Sequence, residues 1–205
     1  MDQAQVWRHI RAERAALAEI LAGLTEAQWD APSVCDGWRV RDVAAHAIGA
    51  PQLRLRTMPA MLWRGRFDVD RAGLLDGRRR GQAPTTEILA QFERYAGSRH
   101  RMPGTLPLPD ILVHTQDVVR PLGLRHEMSP QVAAIAADQM RPRRIARIVH
   151  AEDVVAHVRM EATDIDWVRG SGPTLRGPMQ ELLLVCSGRA RVATELEGDG
   201  LALTH

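Results

Sequence analysis

The sequence predicts a mainly α-helical protein, with a helical bundle over residues 1–155 and a small α/β domain over residues 156–205. Up to about residue 155, apolar residues recur at the spacing of amphipathic helices. Beyond Arg159, short apolar runs alternate with Gly and Pro, which is typical of short strands and turns. At 205 residues, with 45% hydrophobic and 25% charged side chains, the chain can bury a core of this kind.

The first half of the chain contains three predicted helices and one long predicted connection. The apolar residues of the first helix recur at helical spacing: Val6, Ile10, Leu17, Leu21 and Leu24. The second helix begins near Val40, and Pro51 is expected to kink or end it, because proline removes a helical hydrogen bond. Residues 64–84 are rich in Gly and Arg with little periodicity, so we expect a long connection, of the kind that often forms a lid. A third helix begins at residue 85 or 86.

The second half contains two further predicted helices before the α/β pattern. The fourth helix begins at the prolines of residues 107–109, which suit a first helical turn. The fifth begins after Ser129, a good N-cap, and is interrupted by Pro142. In the C-terminal region, residues 179–186 are apolar at helix density, and residues 201–203 are expected to form a final strand.

Composition excludes several classes of function. The net charge is +2, and two arginine clusters, residues 78–80 and 141–144, have no nucleic-acid-binding motif beside them, so we expect no nucleic-acid partner. No apolar run approaches the roughly 20 residues that span a bilayer, and the N-terminus lacks a signal-peptide pattern. We therefore expect a cytoplasmic protein with no membrane partner.

The two cysteines, Cys35 and Cys186, form neither a disulfide framework nor a zinc motif. Cys35 lies near the candidate site described next, and we interpret it as a partly buried structural cysteine. Any thiol chemistry is then expected to use a thiol from a cofactor.

Three residues are candidate metal ligands: His46, Asp110 and His114. Asp110 and His114 are one helical turn apart, so they share one helix face, and His46 lies on another predicted helix. If the two helices pack together, these donors suit a divalent metal, with zinc favoured, and leave a coordination position open. The alternative is that Asp110 complements the helix dipole and His114 is a packed histidine. The same spacing recurs at Asp153 and His157, so spacing alone does not decide.

A resemblance to a known family supports the metal site. The segment Pro32–His46 resembles the loop and second-helix start of DinB-like four-helix bundles, especially the actinobacterial branch that contains mycothiol-dependent maleylpyruvate isomerase. Residues 162–167, 172–178 and 187–190 resemble the small C-terminal domain of that branch. The resemblance implies a DinB-like four-helix bundle with a small C-terminal α/β domain, and it implies that His46, Asp110 and His114 bind the metal.

Two positions depart from the pattern of the family. Asp110 stands where the isomerase has glutamate, which is one methylene longer, so direct ligation requires a closer approach of the helices or a bridging water. Arg39 stands where relatives often have a capping Thr or Ser, and an arginine side chain cannot accept a bond from the helix amides.

The resemblance further implies a transferase or isomerase that uses a low-molecular-weight thiol, mycothiol or a similar one, on a small electrophilic carboxylate. An arginine of the C-terminal domain is expected to hold that carboxylate, with Arg189 the first candidate and Arg176 the second; the alternative for Arg189 is a helix C-cap. Asp117, one turn beyond His114, either orients a ligand or has a surface or capping role. The expected partners are a small-molecule substrate and a small thiol, and the chain is expected to be a monomer or homodimer.

Two other functions remain open at this stage. The protein could bind a metal or small ligand without catalysis, since a fold does not assign a reaction. A regulatory bundle that contacts DNA draws only on the two arginine clusters.

Overall fold

The computed structural model describes residues 1–204, without the side chains of residues 69 and 70. Its α-helices are α1 (Gln3–Ala22), α2 (Glu26–Trp29), α3 (Val40–Gly49), α4 (Met58–Arg64), α5 (Val69–Arg80), α6 (Thr85–Tyr95), α7 (Pro107–Val119), α8 (Pro130–Met140), α9 (Arg143–Ile148), α10 (Glu152–His157) and α11 (Met179–Cys186). The strands are β1 (Arg159–Ala162), β2 (Val168–Arg169) and β3 (Thr174–Gly177). Short 3-10 helices are Ala50–Gln52, Leu55–Thr57, Arg120–Leu122, Ala190–Val192 and Asp199–Leu203.

The chain divides into two compact units, Met1–His126 and Glu127–His205. In the first unit, α1 and α3 each pack against both α6 and α7, which gives a four-helix bundle. The described strands all lie in the second unit. The predicted fold, a helical bundle with a small C-terminal α/β domain, is confirmed. Helices α8 to α10 belong to the second unit, and a domain boundary between residues 155 and 156 stays a prediction.

One arginine of α1 fixes the end of a neighbouring helix. Arg14 is 2% exposed. Its Nη1 donates to the carbonyls of Tyr95, Ala96 and Ser98 at 3.4, 3.3 and 2.8 Å. These carbonyls follow the last turn of α6, where the backbone acceptors of a helix have no partner within it and a cation is favourable. The contact therefore aligns α1 with α6 while satisfying a buried charge.

The start of α3 is held by an acid and not by the residue before the helix. Arg39 makes no side-chain cap, as expected from its chemistry. Instead, the Asp42 carboxylate accepts from the backbone N and the Nε of Arg39 at 3.0 and 3.1 Å. The first-turn carboxylate thus satisfies the Arg39 amide, which is the role of the N3 side chain in a capping box.

The expectation of a long connection over residues 64–84 is wrong, because this stretch contains helix α5. The Asp68 carboxylate caps α5 by accepting from the Arg71 amide at 2.9 Å. The helix packs against α3; in addition, Gly77 lies against Trp38 just before α3, and the C-cap Gly81 lies against Asp42 of α3. Since glycine buries a helix face without an apolar side chain, the hydrophobic periodicity used to find helices is absent here.

The second unit contains a three-stranded sheet of order β2-β1-β3, with β1 antiparallel to β2 and parallel to β3. Helix α11 packs against α8 in this unit. The strand expected over residues 201–203 is wrong, because the chain forms the 3-10 helix Asp199–Leu203 there. Glu197 forms an antiparallel bridge to Arg176 of β3, and Gly198, with φ of 101°, ends this pairing before the 3-10 helix, which packs against β3. None of the helices among residues 1–204 is long and apolar enough to cross a membrane.

Candidate metal centre

The structure brings together the three residues that the sequence singled out. His46 projects from α3, and Asp110 and His114 project from the neighbouring helix α7. One ligand atom from each lies within 4.8 Å of the others. Asp110 Oδ1 and His114 Nε2 lie 3.6 Å apart. We refer to these three residues as the metal centre; that they bind metal stays a prediction.

Helix α7 places its two donors near its start. The helix begins at Pro107, and Asp110 lies in its first turn, where an acid interacts well with the exposed amides. His114 follows one turn later on the same face. Asp110 is 31% exposed and His114 is 12% exposed at the side chain, so the centre is accessible mainly from the Asp110 side.

A buried carboxylate orients His114. Asp117 Oδ2 lies 2.8 Å from His114 Nδ1, and the Asp117 side chain is 0% exposed. Because an ionised carboxylate can only accept, Nδ1 carries the proton of this bond. His114 Nε2 is then the nitrogen that faces Asp110, and it is the one available to a metal in the neutral ring. Of the two roles open for Asp117 in the sequence, orienting a ligand fits these contacts.

Cys35 shares the same carboxylate oxygen. Its thiol donates to Asp117 Oδ2 at 3.1 Å. The loop that carries it is fixed to α7 by the Val34 amide, which donates to the Asp117 carbonyl at 3.1 Å. Sequence reasoning placed Cys35 near the site, but it could not show that Cys35 and His114 meet at one oxygen.

An aromatic ring covers the two histidines. Trp38 stands edge-on to His46 at 5.0 Å between ring centroids and stacks with His114 at 6.5 Å. The histidine rings are 5.1 Å apart and nearly perpendicular. Such edge-to-face and stacked contacts limit the rotation of all three rings. Trp38 therefore restrains both imidazoles, which sequence analysis did not detect.

Helix α5 packs closely against the Trp38 ring. A Cβ atom at Gly77 would lie 2.5 Å from Trp38 Cη2, so only glycine allows this approach. On the same helix, Asp76 is held by Arg79 and Arg80 at 2.6 Å each. The sequence did contain a signal for this packing, the four-residue spacing of Gly77 and Gly81, which places both on one side of the helix.

The two histidines have opposite pKa shifts. Burial, followed by the charge of His114, lowers the pKa of His46 to about 4, so His46 is neutral near pH 7. Burial also acts to lower the pKa of His114, but the hydrogen bonds to Asp117 and Cys35 and the charge of Asp110 outweigh it and raise that pKa to about 10. A metal ion at His114 must therefore displace a proton, which acid opposes.

The other candidates lie elsewhere. His157 Nδ1 bonds the Asp153 backbone carbonyl at 2.9 Å, and these two residues belong to no three-donor cluster found among residues 1–204. Arg189 follows α11 in the second unit, is half-buried, and donates to the Ser187 carbonyl at 2.6 Å. Arg176 is exposed and lies 3.3 Å from Glu197. The proposed substrate contacts of Arg189 and Arg176 stay predictions.

Comparisons with known proteins identify a family and a fold. Residues 10–110 match the family model described as the mycothiol maleylpyruvate isomerase N-terminal domain, a range that includes His46 and Asp110 and stops before His114. A crystal structure of the mycothiol-dependent maleylpyruvate isomerase superimposes with a TM-score of 0.67 at 9% identity, covering 97% of this chain and 93% of that one. A histidine-to-alanine mutant of that isomerase superimposes with a TM-score of 0.66 at 7% identity, covering the same shares, 97% and 93%.

A search of curated proteins by sequence gives no match. The family match assigns residues 10–110 to the mycothiol maleylpyruvate isomerase N-terminal domain family, and the superposition is consistent with that assignment.

The packing of α5 gives a stability prediction with a matched control on the same helix. Gly77→Ala should lower the free energy of unfolding by about 1–3 kcal/mol, because its methyl group overlaps the Trp38 ring. Gly73→Ala meets nothing within 4 Å and should raise that free energy by about 0.5–1 kcal/mol, the usual helix gain over glycine. Urea unfolding followed by far-ultraviolet circular dichroism measures both. Equal effects of the two substitutions would contradict the packing of α5 on Trp38.

Proposed function

We propose that the protein is a divalent-metal-dependent and thiol-dependent isomerase or transferase that acts on a small electrophilic carboxylate. The observation that supports the proposal is that donor atoms of His46, Asp110 and His114 lie close together, with the Trp38 ring packed against His46. The family match of residues 10–110 supports it as well. The proposed thiol is mycothiol or a similar small thiol. Mycothiol appears in the description of the matched family and in that of the superimposed isomerase.

The donor set fits a divalent ion of the zinc type. Two imidazole nitrogens and one carboxylate oxygen are donors that zinc accepts, and three protein ligands leave a position for an exogenous group. In a tetrahedral site with bonds of roughly 2.0–2.2 Å, ligand atoms lie about 3.4 Å apart. The 3.6 Å between Asp110 Oδ1 and His114 Nε2 is close to that value, which supports direct ligation by Asp110 despite its shorter side chain.

The residues around the centre prepare it for this use. Asp117 fixes His114 so that Nε2 points to the shared position, as carboxylates do for many metal-bound histidines. His46, with its lowered pKa, presents an uncharged ring without losing a proton near neutral pH. Trp38 packs against both rings and limits their rotation. A divalent ion held there would lower the pKa of a bound thiol and keep it ionised near neutral pH.

We further propose that Arg189 binds the substrate carboxylate. Its guanidinium is half-buried, so a charge-assisted bond there is less screened than on an open surface. Arg176 is the weaker candidate, because it is exposed and already paired with Glu197.

Metal content tests the ligand set. After incubation with zinc and desalting, the protein should retain about one ion per chain, and His46→Ala or His114→Ala should lose it with little change in helix content. His157→Ala is the matched control, since His157 also follows an acid by one turn, and it should keep the ion. Elemental analysis with circular dichroism measures both. Retention of zinc in His46→Ala would contradict the assignment.

Thiol binding tests the function. Calorimetric titration of the zinc-loaded protein with mycothiol should show binding tighter than roughly 1 mM. The S-methylated form of the same thiol cannot ionise and should not bind at the open position. The metal-free His46→Ala protein should also fail to bind mycothiol. Absence of binding at millimolar thiol would instead favour a metal- or ligand-binding protein without catalysis.

Arg189 has its own test. Arg189→Ala should weaken binding of a small unsaturated dicarboxylate about tenfold or more, because a charge-assisted hydrogen bond is lost, while zinc content stays unchanged. The exposed Arg144→Ala serves as the charge-matched control. Equal losses in both variants would show that Arg189 contributes only through net charge.

A further inference from the structure

We propose a second metal position, formed by Cys35, His114 and Asp117, that takes soft metal ions and competes with the metal centre for His114. One ligand atom of each residue lies within 4.8 Å of the other two. We refer to it as the Cys35 position. It differs from the metal centre in its donors, since it contains a thiolate ligand and lacks His46 and Asp110.

The three donor groups are already close together, and hydrogen bonds join them at Asp117. The Cys35 thiol and His114 Nδ1 both approach Asp117 Oδ2, at 3.1 and 2.8 Å. Each of these contacts depends on a proton that a metal ion can replace. Binding would release the thiol proton of Cys35 and the Nδ1 proton of His114 to solvent, and the ion would then contact sulfur, nitrogen and oxygen.

Charge and burial favour a divalent ion at this position. Asp117 is 0% exposed, whereas Cys35 is partly exposed and leaves a route of entry. One carboxylate and one thiolate carry two negative charges, so a divalent ion makes the buried group neutral overall, which lowers the cost of burying charge. A sulfur ligand selects soft ions such as Cd²⁺ over hard ions such as Mg²⁺.

The His114 ring makes the two positions exclusive. When the metal centre is occupied, Nε2 binds the ion and Nδ1–H stays bonded to Asp117. When the Cys35 position is occupied, Nδ1 binds the ion and Nε2–H is left facing Asp110, whose Oδ1 is 3.6 Å away. Simultaneous binding would require a fully deprotonated imidazolate, which is unfavourable in a ring whose protons two carboxylates favour. Soft ions should therefore displace zinc and disable the metal centre.

Cadmium titration of the whole protein tests the proposal. Cd²⁺ bound to a thiolate gives a charge-transfer band in the ultraviolet. The wild type should develop this band to about one ion per chain. Cys35→Ser should lose it, and Cys186→Ser should keep it. Cys186 is the matched control because it is the other cysteine, is fully buried, and has a pKa raised to about 12 by that burial.

Two further measurements separate this proposal from the proposed function. His46→Ala should retain the cadmium band, because His46 belongs only to the metal centre. If zinc binding at the metal centre fails but the band appears and depends on Cys35, the Cys35 position stands alone. In zinc-loaded wild type, each Cd²⁺ bound should release one Zn²⁺, measured with a chromophoric chelator, and cadmium uptake without zinc release would overturn the competition.

X-ray absorption of the cadmium-loaded wild type tests for the sulfur ligand directly. It therefore decides the question even if the Cys35→Ser variant does not fold. The spectrum should contain one sulfur neighbour. A shell of nitrogen and oxygen alone, or a band that persists in folded Cys35→Ser, overturns the Cys35 position.

Discussion

The hydrogen bond between the Asp117 carboxylate and His114 is the interaction on which the site depends. Asp117 is fully buried, and a buried carboxylate without a partner is strongly unfavourable, so removing one member of such a pair costs about 3–5 kcal/mol. The bond fixes the tautomer and the orientation of His114 and raises its pKa to about 10, although burial alone would lower it. The Asp117 carbonyl also anchors the loop before α3 through the Val34 amide. One residue of α7 therefore positions the loop that leads to Trp38 and His46.

Helix α5 adds a second constraint from outside the bundle. It approaches α3 so closely that Gly77 contacts Trp38, and Arg80 lies across Gly49, one turn beyond His46. Asp76 and Arg80 pair with each other, and their charges act on the pKa of His46 in opposite directions, Asp76 raising it and Arg80 lowering it. Helix α5 therefore packs against Trp38, while its charged residues near His46, Asp76 and Arg80, are paired with each other.

Local patterns explain which features could be predicted from the sequence. The relation of Asp110 to His114 follows from helical geometry within one segment, and the start of α3 near Val40 follows from its motif. The sequence spacing within one helix does not show which distant helix packs against it. The prediction that Asp110 and His114 lie close to His46 therefore depended on the family resemblance. Helix α5 was missed because two of its buried positions are the small residues Ala72 and Gly77 while Leu75 is exposed, so its apolar spacing is weak. Residues 201–203 alternate like a strand, but after the positive-φ Gly198 the chain forms a 3-10 helix.

The most direct test of the metal centre is anomalous diffraction from zinc-soaked crystals, collected on both sides of the zinc absorption edge. The account predicts one strong peak at roughly 2.0–2.2 Å from His114 Nε2, a His46 nitrogen and an Asp110 oxygen, with His114 Nδ1 still bonded to Asp117. A zinc peak between Cys35 and Asp117 in the absence of soft ions, or no peak near His114, would contradict it.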